Sequence, residues 1–320
     1  MIQAFRWLRS RGPRFYLMVA ACLALALTAL RPSAQLPRET YGLVFILDIT
    51  QSMNTADVHL GGAPATRLAA AKAAVRDSLA RLPCGSEAGL GVFTEYRSFL
   101  LLAPVEVCSG YAELLATLER MDWRMGWAGA SQVGKGLHFG LQLARALELR
   151  PALVFMSDGH EAPPVNPVTR YPVENPAPRV PGLIVGVGGD ALSPIPKFDM
   201  EGNDLGFWDE QEVTQLSVPA RGGNADAQTQ ADAAQRVKRG AEHLSSLKEP
   251  HLKELAAEAG LRYVRLGSPD TLLPALRRPD LARSRPVATD LRWTLAGAAL
   301  LALAVAFAPI PLARKSMSRG

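Results

Sequence analysis

Three short apolar runs constrain this chain more than any other feature. GLVFILD (42–48), PALVFMSDG (151–159) and GLIVGVGGD (182–190) carry no charge until each ends at or beside an aspartate. A run without polar alternation is what a strand buried on both faces requires, and such strands belong to parallel sheets covered by helices. Segments with helical spacing lie between and after them: TRLAAAKAAVRDSLARL (66–82), YAELLATLERM (111–121), QVGKGLHFGLQLARALEL (132–149) and HLKELAAEAG (251–260), the last closed by Gly260. EAGLGVFTEYRSFLLLAPV (87–105) reads as two strands about a tight turn near Glu95, LRYVRL as a final strand and DTLLPAL as a short helix. The expected fold is α/β, a doubly wound, mainly parallel sheet flanked by helices, with right-handed crossovers.

In such a sheet the carboxyl ends of the parallel strands share one rim. Asp48 and Asp158 both fall there, far apart in sequence. The stretch VFILDITQSMN (44–54) adds Thr50 and Ser52, spaced by two, just where the first run ends. A buried carboxylate without a partner is costly. Two explanations stand: turn and capping chemistry for the next helix, or a hard cation that takes carboxylate and hydroxyl oxygens. WAGASQVGKGL (127–137) offers one more hydroxyl, Ser131, where a loop enters a helix. Two long irregular stretches leave the same rim, the proline-rich residues 160–181 and residues 190–250. The second contains a hairpin with its turn near Glu201–Asp204. Loops of this length are uncommon unless functional or disordered.

Taken in order, DITQS, ASQVGKGL and MSDG resemble the metal-ion-dependent adhesion site of von Willebrand factor type A domains. That family's pattern is Asp-x-Ser-x-Ser, a threonine in a glycine-containing loop, and Asp-Gly after a strand. The resemblance spans about residues 40–280, with an insertion at about 190–250. It implies a divalent cation, Mg²⁺ first and Ca²⁺ or Mn²⁺ as alternatives, held by Asp48, Thr50, Ser52, Ser131 and Asp158. Thr50 stands for the first serine and Ser131 for the threonine; both keep a hydroxyl. It also implies one open position filled by a carboxylate of a protein partner, which is binding and not catalysis. Trp127, His160 and Glu161 flank these residues and are expected to shape the partner surface; Trp123, Phe207 and Trp208 raise the same expectation, with packing in the core as the alternative for Trp123 and Trp127. DITQSMN, FTEYRSFLLLAPVEVC and SDGHEAPP are further similar to MxaL-type accessory proteins, tied to calcium loading of a periplasmic methanol dehydrogenase. Two other readings remain open. One is a metal-dependent hydrolase with His160 as base near Ser52 or Ser131, although no G-x-S-x-G turn is present. The other is a structural scaffold with a vestigial site. GVGGD lacks the rest of a dinucleotide fingerprint, and no small-molecule substrate is indicated.

The chain ends carry two more apolar segments, FYLMVAACLALALTAL (15–30) and WTLAGAALLALAVAFAPIPL (293–312). Both are expected to span a membrane. Arg6, Arg9, Arg11 and Arg14 precede the first; Arg314, Lys315 and Arg319 follow the second. By the positive-inside rule, residues 1–14 and 313–320 lie in the cytoplasm of a bacterial inner-membrane protein, with the domain in the periplasm. Arg277, Arg278, Arg283, Arg285 and Arg292 oppose that orientation. A cleaved signal peptide is the alternative for the first segment. The net charge of +5 sits largely at the ends, with no basic face carrying interleaved aromatics, which argues against nucleic acid. Of three cysteines, Cys22 lies in the first apolar segment. Cys84 follows a helix and Cys108 ends a descending strand, so both reach the end away from the rim. A disulfide is expected there, with two free thiols as the alternative. No Cys/His spacing suggests zinc.

Overall fold

The computed structural model describes residues 12–126, 130–164, 170–210, 212 and 243–308. The chain divides into two compact units, residues 39–284 and the two ends, 1–38 with 285–320.

In the larger unit, β1 (Ser33–Asp48) runs into a short 3₁₀ turn over Gln51–Asn54. A small hairpin follows, β2 (Val58–Leu60) and β3 (Ala63–Ala65), turning through Gly61 and Gly62 at positive φ. Then come α1 (Arg67–Arg81), β4 (Glu87–Thr94), β5 (Arg97–Glu106), α2 (Tyr111–Arg120), α3 (Val133–Ala146), β6 (Ala152–Ser157) and β7 (Gly182–Gly186). Short strands β8 (Ser193–Pro194), β9 (Pro196–Phe198), β10 (Asp204–Phe207) and β11 (Leu244–Ser245) make up the insertion. α4 (Glu249–Ala259), β12 (Arg262–Arg265), α5 (Leu272–Leu276) and β13 (Ala282–Asp290) complete the order.

The main sheet has the order β12-β7-β6-β1-β4-β5, with β13 also pairing β1. Pairs β1–β4, β1–β6, β6–β7 and β7–β12 are parallel, and the hairpin β4–β5 is antiparallel. The expected two strands about Glu95 are this hairpin, and Glu95 takes φ +56° in its turn. The expected uncharged runs are β1, β6 and β7. Leu43, Phe45 and Leu47 face one core with α1, α2 and α5, while Val44 and Ile46 face the other with α3 and α4. All five are fully buried. Each such side chain contributes about 1.5–3 kcal/mol when removed from water, so a charge in this run would have cost the sheet both its layers.

β1 is also where the winding reverses: β4 lies on one side of it and β6 on the other. Open α/β sheets form a crevice outside the carboxyl ends of strands at such a switch point. Asp48 ends β1 and Ser157 ends β6, so the switch point lies on the anticipated rim.

At the opposite end, Cys84 and Cys108 form the anticipated disulfide, with Cα atoms 5.4 Å apart. These two cysteines and Glu106 are close enough to suggest a metal grouping. Their sulfurs are bonded to each other, however, and Glu106 accepts hydrogen bonds from Gly85 N, Ser109 N and Ser109 Oγ.

In the smaller unit, the segments expected to span a membrane form helices Pro13–Thr28 and Arg292–Phe307, each of 16 residues. The two helices pack together. They bury only Ala21, Ala299 and Ala306 and leave Leu23, Leu300, Leu301 and Phe307 exposed. Among the described residues, no helix is long and apolar enough to cross a membrane. Cys22 is free and exposed on the first of them.

Candidate functional site

Asp48 is wholly buried, and both its oxygens are engaged. Oδ1 accepts from Thr50 N at 2.9 Å and Thr50 Oγ1 at 2.6 Å, which folds the chain back at the end of β1. Oδ2 accepts from Ser157 Oγ at 2.6 Å. Ser52 Oγ lies 3.4 Å from Thr50 Oγ1. The turn chemistry weighed from sequence is therefore present, and it gathers Asp48, Thr50 and Ser52 into one oxygen-lined corner. Among the described residues, the hydrogen-bond partners of Asp48 are hydroxyl and amide donors, with no cation.

Asp158, likewise wholly buried, follows β6. Its Oδ1 accepts from His160 N at 2.9 Å. Its Oδ2 accepts from Arg67 Nη1 at 2.5 Å and Ser245 Oγ at 3.2 Å. Ser131 stands between the two loops. Ser131 N donates to Ala162 O and Ser131 O accepts from Ala162 N, while Gln132 N donates to Glu95 O beyond β4. Ser131 is 2% exposed, and among the described residues its Oγ has no hydrogen-bond partner.

Arg67, the first residue of α1, was not anticipated as part of the site. Its guanidinium is fully buried and forks between Asp57, at 2.9 and 2.6 Å, and Asp158. It also donates to Ser52 O, Ser245 Oγ and Ser245 O. Burial opposes its charge, yet Asp57 and Asp158 outweigh this and hold its pKa above the ordinary value. One side chain thus ties together four segments of the rim. The signal lay in the helical period: Arg67 shares a face with Ala70, Ala71, Ala74 and Ser78, all buried, where a solvated arginine has no place. Gly188, at φ +142°, lies against this guanidinium, where a Cβ would come within 2.8 Å of Nε. That accounts for a glycine in GVGGD without a nucleotide. Ser157 and Asp57 were also missed; Ser157 stands beside Asp158 within the quoted motif.

Burial, and then the charge of Asp158, push the Asp48 carboxyl up to about 7, against the hydrogen bonds from Ser157 and Thr50. Burial lowers the pKa of His160, and also that of Lys248. His160 is 6% exposed, and among the described residues its Nδ1 has no partner. Glu161 is half-buried; its Oε1 accepts Gly134 N at 3.1 Å and meets His251 Nε2 at 3.0 Å. Trp127, expected at the partner surface, lies outside the described residues.

The donor chemistry fits a hard divalent cation. Two wholly buried carboxylates share the corner, a buried hydroxyl lacks a partner, and the resident guanidinium is engaged by Asp57 as well as Asp158. A bound cation would remove the repulsion that raises the Asp48 carboxyl.

Residues 43–160 match the family model of the von Willebrand factor type A domain, a stretch that runs from β1 past Asp158. The mixed sheet with parallel strands between helices fits that α/β fold. No curated protein matches the chain in sequence. Among solved structures, the chain is similar to an aerotolerance-related membrane protein from Bacteroides fragilis carrying multiple mutations to serine. The identity is 19%, with 74% of this chain and 96% of that one covered, at a TM-score of 0.49. It is similar to the conserved hypothetical protein BatB from Bacteroides thetaiotaomicron at 17% identity, covering 73% and 94%, with a TM-score of 0.46. It is also similar to the SpRpn10 von Willebrand type A domain at 11% identity, covering 75% and 96%, with a TM-score of 0.37.

Proposed function

We propose that this protein is a metal-dependent protein-binding module. In this reading Asp48, Thr50, Ser52, Ser131 and Asp158 hold a divalent cation, Mg²⁺ first, and a partner's carboxylate completes its coordination. The observation that carries the reading is the buried Asp48. Among the described residues its partners are hydroxyl and amide donors and no cationic side chain, its pKa is raised towards neutrality by burial and by Asp158, and the Ser131 hydroxyl, unpartnered among those residues, stands on the same rim. The cation would supply positive charge and an exchangeable coordination position. The chain's own residues fix the oxygens: Thr50 and Ser157 orient Asp48, and Arg67 with Ser245 orients Asp158.

The domain is proposed to sit in the periplasm, anchored by the two terminal helices in a bacterial inner membrane. Their contact through alanines and their exposed leucines support this, because such apolar surface needs a cover other than water. The role would be that of an assembly or maturation accessory factor. The narrower reading, cation loading of a periplasmic dehydrogenase, rests on the three segments similar to MxaL-type proteins. A hydrolytic role has less support: the His160 Nδ1 and Ser131 Oγ atoms that it would join are each without a hydrogen bond.

The test is co-purification from membranes of the wild type and Asp158→Ala, with bound metal measured in both. The expected result is a partner and near-stoichiometric metal with the wild type, and loss of both in the variant. A partner retained by a metal-free variant would remove the reading.

A further inference from the structure

The insertion carries a second unexplained surface. β9 and β10 form a hairpin whose turn is held by Asp199, which accepts from Asn203 N and Asn203 Nδ2, both at 2.7 Å. The hairpin is rooted at the rim. At its base Ile195 N donates to His243 O, and β8 pairs β11, whose Ser245 bonds Asp158 and Arg67. On its flank Phe198 stacks on Trp123, ring centroids 5.8 Å apart, and β9 packs beside the Gln51–Asn54 turn. An arm so well anchored would be expected to hide its apolar residues. Instead Met200 is 69% exposed, Leu205 55% and Phe207 59%. The charge along the arm is mainly negative: Asp199, Glu201, Asp204 and Asp209 stand beside a Lys197 that pairs Glu212, with the Arg124 guanidinium next to Gly202.

We infer that this hairpin is a docking arm for a protein partner whose contact segment is basic and apolar, an amphipathic cationic stretch. The exposed leucine and phenylalanine provide the desolvated contact. The carboxylates around them select positive charge and speed encounter, which also disfavours an anionic lipid surface. The inference goes beyond cation-mediated docking and does not need it. The arm stands beside the rim, so one partner can engage both.

The test uses the detergent-solubilised full chain and fluorescence anisotropy of two labelled, amidated probes. One is a peptide of alternating lysine and leucine, the other has glutamate in place of lysine. The lysine probe should bind, and added salt should weaken it. Leu205→Ser with Phe207→Ser, and separately Glu201→Lys with Asp204→Lys, should each weaken it about tenfold or more; these side chains are exposed, so folding is spared. Binding should persist in EDTA, which separates this arm from the cation site. Equal affinity across the variants, equal binding of the glutamate probe, or loss in EDTA would overturn the inference. So would a marked gain in affinity on deleting residues 213–242, which would make that segment the occupant.

Discussion

At the scale of single residues, the site is a problem in charge placement. Two carboxylates, Asp57 and Asp158, answer to one guanidinium, while Asp48 beside them is held by hydroxyl and amide donors. Arg67→Met should therefore cost about 3–5 kcal/mol, because it leaves Asp57 and Asp158 buried and uncompensated. Chemical denaturation measures this, and a change under about 1 kcal/mol would contradict the role given to Arg67. Asp48 gives a pH signature. Its folded pKa is raised, so between about pH 4 and 7 the native state holds a proton that the unfolded chain has lost. In EDTA, this contribution to stability should then fall as pH rises from about 4 to 7 and level off above 7. Mg²⁺ must displace that proton, so its stabilising effect should be small near pH 6 and larger near pH 8. Thermal melts with and without Mg²⁺ read this directly, and equal shifts at both pH values would count against the site. Asp48, Thr50, Ser52 and Asp158 were legible in the sequence because each sits within a few residues of a strand end. Arg67 was not, because its partners Ser52, Asp57, Asp158 and Ser245 come from segments that only the fold assembles.

At the scale of elements, α3 meets the sheet through glycine. A Cβ on Gly136 would drive into the Phe93 ring, which packs on Phe155. Gly136→Ala should destabilise by roughly 1–3 kcal/mol through overpacking despite its better helix propensity. Because Ser131 lies just before this helix, the variant should also weaken Mg²⁺ binding by calorimetry. The Cys84–Cys108 bridge closes a span of 24 residues between α1 and the end of β5. Cys84→Ser with Cys108→Ser should cost roughly 3 kcal/mol in the chain-entropy account. Metal affinity should be unchanged, since the bridge is at the end away from the rim. The buried strands and the main helices were readable because their patterns are strong and local. β13 was not: ARSRPVATD mixes arginines and a proline into a period-two pattern, and it pairs β1 across more than two hundred residues. Each terminal helix has 16 residues, as many as the first expected segment and fewer than the second, and about 24 Å of helix is shorter than a hydrocarbon core of about 30 Å.

At the scale of the whole molecule, the three cysteines report on compartment. Cys22 is free and outward-facing on the first helix. If the proposed anchor is right, a water-soluble maleimide should leave Cys22 unmodified in intact membranes and label it after solubilisation in SDS. Cys84 and Cys108 should stay unlabelled in both until reductant is added. Rapid labelling of Cys22 in intact membranes would remove the anchor. The insertion has a different consequence. Ile195 N donates to His243 O, so the insertion leaves and rejoins the domain at one doorway. Such a side room can be refurnished, lengthened or emptied while the walls of the main hall stand. Replacing 196–242 with a short glycine bridge should yield a pared-down relative that still takes up its ion, and related chains are free to differ most at this spot.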